Sequence, residues 1–73
     1  MKIWIVIDDN NRSALGKPFY EMYQVFLDRN NAKERAVKLG MPSTMNITKD
    51  IGMATAFMSG DIAVKVLCTE TKG

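Results

Sequence analysis

The stretch Ile3-Trp4-Ile5-Val6-Ile7 is β-branched or aromatic without a break, and it runs into the turn formers Asp8-Asp9-Asn10-Asn11. Branched and aromatic side chains fit a packed, pleated surface, whereas short polar side chains bond to their own backbone and favour turns. A first strand is therefore predicted over Lys2 to Asp8. Side chains alternate across a strand, so Ile3, Ile5 and Ile7 take one face and Trp4 and Val6 the other. Both faces are apolar, the pattern of a strand in the middle of a sheet and covered on both sides.

The cover has to come from a chain of 73 residues, or from a partner. A domain of this size buries only about 60% of the surface that its unfolded chain exposes. Small domains are usually reinforced by disulfides, a structural metal, oligomerisation or close packing. Cys68 is the one cysteine and histidine is absent, so an internal disulfide is impossible and the usual Cys/His zinc sets cannot be assembled. A single domain over residues 1–73, held by packing or by a partner and without a cofactor, is the expectation.

Hydrophobic residues make up 47% of the chain and charged residues 25%, the balance of a globular protein. No apolar run approaches the roughly 18 residues of a membrane span, and Ile3–Ile7 is too short for a signal sequence and lacks a small-residue cleavage site. With a lone thiol and no export signal, a reducing compartment is expected, the cytoplasm by default. The triplets Asn11-Arg12-Ser13 and Asn46-Ile47-Thr48 then read as chance glycosylation matches. The net charge of +2 favours solubility and does not specify a partner.

Gly16 and Pro18 mark residues 12–18 as a loop. Glu21 to Leu27 alternates as a second strand, returning antiparallel beside the first. Asp28 is the best helix N-cap in the chain. Ala32, Ala36 and Leu39 then recur at helical spacing, Lys33, Glu34, Arg35 and Lys38 project outward, and Gly40 with Pro42 ends the helix. Residues 48–60 admit two readings. In one, Thr48 caps a second short helix that carries Ile51, Ala54 and Met58 on one face and ends at Gly60. In the other, a strand from Met53 to Met58 turns at Ser59-Gly60-Asp61. Methionine and alanine favour the helix, while Gly52 and Thr55 count against it; the helix is preferred. Ile62 to Thr69 is the last strand, with Ile62, Val64, Val66 and Cys68 on one face and Ala63, Lys65, Leu67 and Thr69 on the other. A polar tail, Glu70 to Gly73, follows. The fold class is α+β: a small antiparallel or mixed sheet of about three strands with one or two helices on one face, in the order β-β-α-(α)-β.

Chemistry is sparse. Cys68 shares a face with apolar residues and has no histidine to activate it, so it reads as a buried structural thiol. Asp8-Asp9 lacks the spaced ligands of a calcium loop, Gly16 lacks the companions of a phosphate loop, and no two carboxylates are placed in one cleft. No catalytic, cofactor-binding or metal-binding residue is assigned, and the chain is not expected to be an enzyme.

Binding is left. If Ile3, Ile5, Ile62, Val64 and Val66 face the helices, then Trp4, Val6, Lys65 and Leu67 form an apolar patch on the far side of the sheet, the mark of a protein-binding surface. Alternatively, the loop of residues 10–20 folds across that patch with Leu15, Phe19 and Tyr20. Met41, Met45, Met53 and Met58 are expected to fill the core. A second candidate surface is the basic side of the helix, Arg29, Lys33, Arg35 and Lys38, which would meet a phosphate backbone with Trp4 or Phe26 as a stacking platform and Lys65 nearby.

The leading expectation is a non-enzymatic protein-binding module that docks on a larger protein or on itself as a homodimer. In size and composition the chain resembles the compact accessory proteins of phages and mobile elements, inhibitors of host defence among them, and that resemblance implies an inhibitor. A small nucleic-acid-binding protein and an oligomer that sequesters a small molecule at a subunit interface are the alternatives.

Overall fold

The computed structural model describes residues 1–9 and 22–72. The loop expected over 12–18, its apolar residues Leu15, Phe19 and Tyr20, and the start of the second strand at Glu21 lie outside the described residues. Five elements follow one another: β1 (Lys2–Asp8), β2 (Tyr23–Phe26), α1 (Arg29–Lys38), β3 (Ala54–Ser59) and β4 (Ile62–Glu70). The strands form one antiparallel sheet in the order β2-β1-β4-β3, which places the two-faced apolar strand β1 at the centre. The fold is α+β, with four strands and one helix among the described residues.

The helix begins and ends where local chemistry dictates. Asp28, in extended conformation, accepts the Asn30 N–H at 2.7 Å through Oδ1 and so satisfies one of the free donors of the first turn. At the other end Gly40 adopts φ +119°. Its N–H donates to Val37 O and the Met41 N–H to Ala36 O, both at 3.0 Å. This is the paired 5→2 and 6→1 arrangement of a Schellman stop. Met41 and Ala36, the residues joined by the 6→1 bond, both lie in the core.

The second short helix is absent; the hairpin is what forms. Gly52 and Gly60 explain why. The Met53 N–H donates to Asp50 O at 3.1 Å, closing a turn in which Gly52, at φ +85°, holds the third position. Only glycine enters that region without strain. Gly52 then donates to Cys68 O while the Cys68 N–H donates to Met53 O, at 2.8 and 3.0 Å. Two residues of one strand thus oppose one of the other, the bonding of a glycine bulge that leads into β3. At the far end Ser59 pairs with Ile62 across a two-residue turn, Gly60-Asp61, with Gly60 at φ +57° and Asp61 at negative φ. Glycine at the first central position is what a II′ hairpin turn requires. Thr48 does accept a main-chain N–H, from Asp50 at 3.1 Å, but it organises this turn rather than a helix.

The core lies between the sheet and α1. Trp4, Val6, Val64, Val66 and Cys68 meet Ala32 and Ala36 of the helix and Met41 and Ile47 of the segment that follows it, with Phe26, Leu39, Met45 and Phe57 packed at the margin. The two alanines let the helix approach closely. Of the four methionines expected inside, Met41 is buried and Met45 partly so, whereas Met53 and Met58 are exposed.

Candidate interaction face

The register of the sheet decides what each face presents. Trp4 pairs with Cys68, Val6 with Val66 and Asp8 with Val64. Directly opposed residues share a face, so Trp4 and Val6 belong with Val64, Val66 and Cys68, beneath the helix. The sequence-based alignment of faces was the reverse, with Ile3 and Ile5 set against Val64 and Val66. Consequently Trp4, Val6, Lys65 and Leu67 do not form one patch. Trp4 is 8% exposed and Val6 1%, and both lie in the core, while Lys65 and Leu67 lie on the other side of the sheet. Alternation reveals the two faces of each strand, but only register matches faces between strands, and a shift of one residue inverts the match.

The face opposite the helix is built in rows. Val25, Ile5, Leu67 and Ala54 lie side by side across all four strands. Tyr23, Ile7, Lys65 and Ala56 form the next row, and Met58 opposes Ala63 beyond it. Val25 is 59% exposed and Met58 71%. Tyr23, Ala54, Ala56 and Lys65 are also exposed, Ile5, Ile7 and Leu67 are half-buried, and Ile3 and Ala63 are buried. Among the described residues one cation, Lys65, therefore stands within a largely aliphatic surface. Its flexible aliphatic stem adds apolar cover while its ammonium reaches solvent.

The basic helix residues divide. Arg29 and Lys33 border a small depression with Asn30, Asn46 and Ile47 on the flank next to the segment after the helix. Arg35 and Lys38 border another with Gln24, Phe26, Asn31 and Glu34 on the flank next to β2. At 100° per residue positions 29 and 33 do lie on the opposite side of the buried Ala32–Ala36 stripe from position 35. The four cations do not make one stripe. Trp4 offers no stacking platform either, since its ring is buried and its indole N–H is engaged by Thr48 O.

Lys33 and Lys38 both border a further open groove, of about 530 Å³, with Asn30, Glu34, Val37 and Ser43. Cys68 is fully buried in the core. Among the described residues no three His, Cys, Asp or Glu side chains gather as metal ligands, and no helix is long and apolar enough to cross a membrane. No protein-family model matches the chain, and comparisons with curated proteins and with solved structures find no match.

Proposed function

We propose that the chain is a non-enzymatic protein-binding module that docks on a larger protein through the sheet face of Ile5, Ile7, Val25, Lys65 and Leu67. The observation that supports this reading is the apolar row Val25-Ile5-Leu67-Ala54, which crosses the whole sheet on the side away from the helix. A contiguous apolar surface rimmed by polar groups is the usual form of a protein interface. Lys65, at the centre, gives such an interface one point of charge recognition, best met by a carboxylate of the partner. An accessory inhibitor acts by occupying a surface and needs no reactive group, which agrees with the sparse chemistry of the chain.

The test is affinity capture from the host with wild type and with Val25→Glu, an exposed position outside the core. The reading expects one protein recovered in stoichiometric amount with wild type and lost with the variant. Equal recovery with both, or none with wild type, contradicts it.

A further inference from the structure

Among the described strands, β3 has a neighbour on one side only. The Cys68 N–H donates to Met53 O. Bonded and non-bonded pairs alternate along an antiparallel ladder, so Thr55, Phe57 and Ser59 direct their backbone groups toward β4. Ser59 is also the closing residue of the two-residue hairpin, which agrees. On the other side of β4, Asp9 donates to Ala63 O, as the same alternation demands. The N–H and C=O groups of Ala54, Ala56 and Met58 must therefore point outward from the sheet. β3 is an edge strand, and these three residues are exposed.

Natural proteins protect such edges with lysine, proline or an inward charge. From Ile51 to Gly60 this chain has no charged residue and no proline. The edge is also held in place: the Thr55 hydroxyl accepts the Thr48 N–H at 2.9 Å and donates to Asn46 O at 3.4 Å. A partner strand would meet an ordered template and lose little entropy in the template itself.

We propose that this edge is a site of β-strand addition, and that its occupant is β3 of a second copy, paired antiparallel about a twofold axis at Ala56. Three features fit a second copy as the occupant. The outward groups at 54, 56 and 58 are symmetric about Ala56, so in the reversed strand every donor meets an acceptor. Met58 then faces Ala54 of the second copy and Ala56 faces Ala56, large against small and small against small. An isologous contact also duplicates every charge it contains, and a strand with none escapes that penalty. The two sheets would join into one, and the apolar rows would run on across the junction. This inference does not depend on the docking reading, which concerns the face of the sheet rather than its edge.

The experiment is sedimentation equilibrium over a concentration series reaching about 1 mM, since a contact of this size is in the weak range. Wild type is expected to move from 8.2 kDa toward twice that mass. Ala56→Lys and Ala56→Glu each place like charges directly opposite across the axis and are expected to raise the dimer dissociation constant about fivefold or more. Mixing the two variants pairs opposite charges, and the mixture is expected to dimerise more tightly than either variant alone. The position is exposed, and far-UV circular dichroism identifies any variant that does not fold. A monomeric wild type across the series overturns the proposal. So does a dimer unchanged by both variants, or a mixture no tighter than its components.

Discussion

The indole N–H of Trp4 donates to the main-chain oxygen of Thr48 at 2.8 Å, joining the central strand to a segment 44 residues away. One bond fastens the irregular chain after the helix to the sheet. The same segment seals the core with Met41 and Ile47 and holds the edge strand through Thr55. An indole is favoured where a buried ring needs one polar contact, and Trp4 has its ring in the core and its donor satisfied.

Replacing Trp4 by phenylalanine keeps an aromatic ring but removes the donor and some volume, leaving the Thr48 carbonyl without its partner. A loss of about 2 kcal/mol in unfolding free energy is expected. Trp4 is the only tryptophan, so unfolding of the variant is followed by far-UV circular dichroism in urea. A loss below about 0.5 kcal/mol would show that the bond and the packing around it contribute little.

Two glycines separate conformational strain from steric conflict. A methyl group at Gly52 meets nothing within 4 Å, so Gly52→Ala costs only the positive φ, about 1 kcal/mol. At Gly40 the added carbon would lie 2.8 Å from Ile62 Cγ2, at a position that also has positive φ. Gly40→Ala is expected to cost about 2–3 kcal/mol, and Ile62→Ala in that background to recover part of it. Equal losses at the two positions, or strict additivity of Gly40→Ala with Ile62→Ala, would contradict the close approach of the helix stop to β4.

Much of the fold was legible because its signals are local. The run from Lys2 to Asp8, the Asp28 cap and the Gly40-Pro42 stop act through neighbouring backbone groups, and they lie where the residues imply. The hairpin over 54–62 was harder to read because Gly52, a defect in a helix, is a requirement in a bulge, and the choice depends on a hydrogen bond to Cys68. The site was misplaced for a related reason. Because β1 is apolar on both sides, alternation alone does not tell whether the side of Trp4 and Val6 meets the helix, and only pairing with Cys68 and Val66 reveals it. The scatter of Arg29, Lys33, Arg35 and Lys38 follows from the narrow stripe of Ala32 and Ala36, which leaves basic residues on both flanks.

The claim that the sheet face opposite the helix is the docking surface is tested most directly by a photocrosslinking amino acid placed at Val25 in the native host, with a second at the exposed Asn46 as the control. The expected result is an adduct of one defined mass, greater than two copies of the chain, formed from position 25 and not from position 46. No adduct from position 25, or the same adduct from both positions, would contradict it.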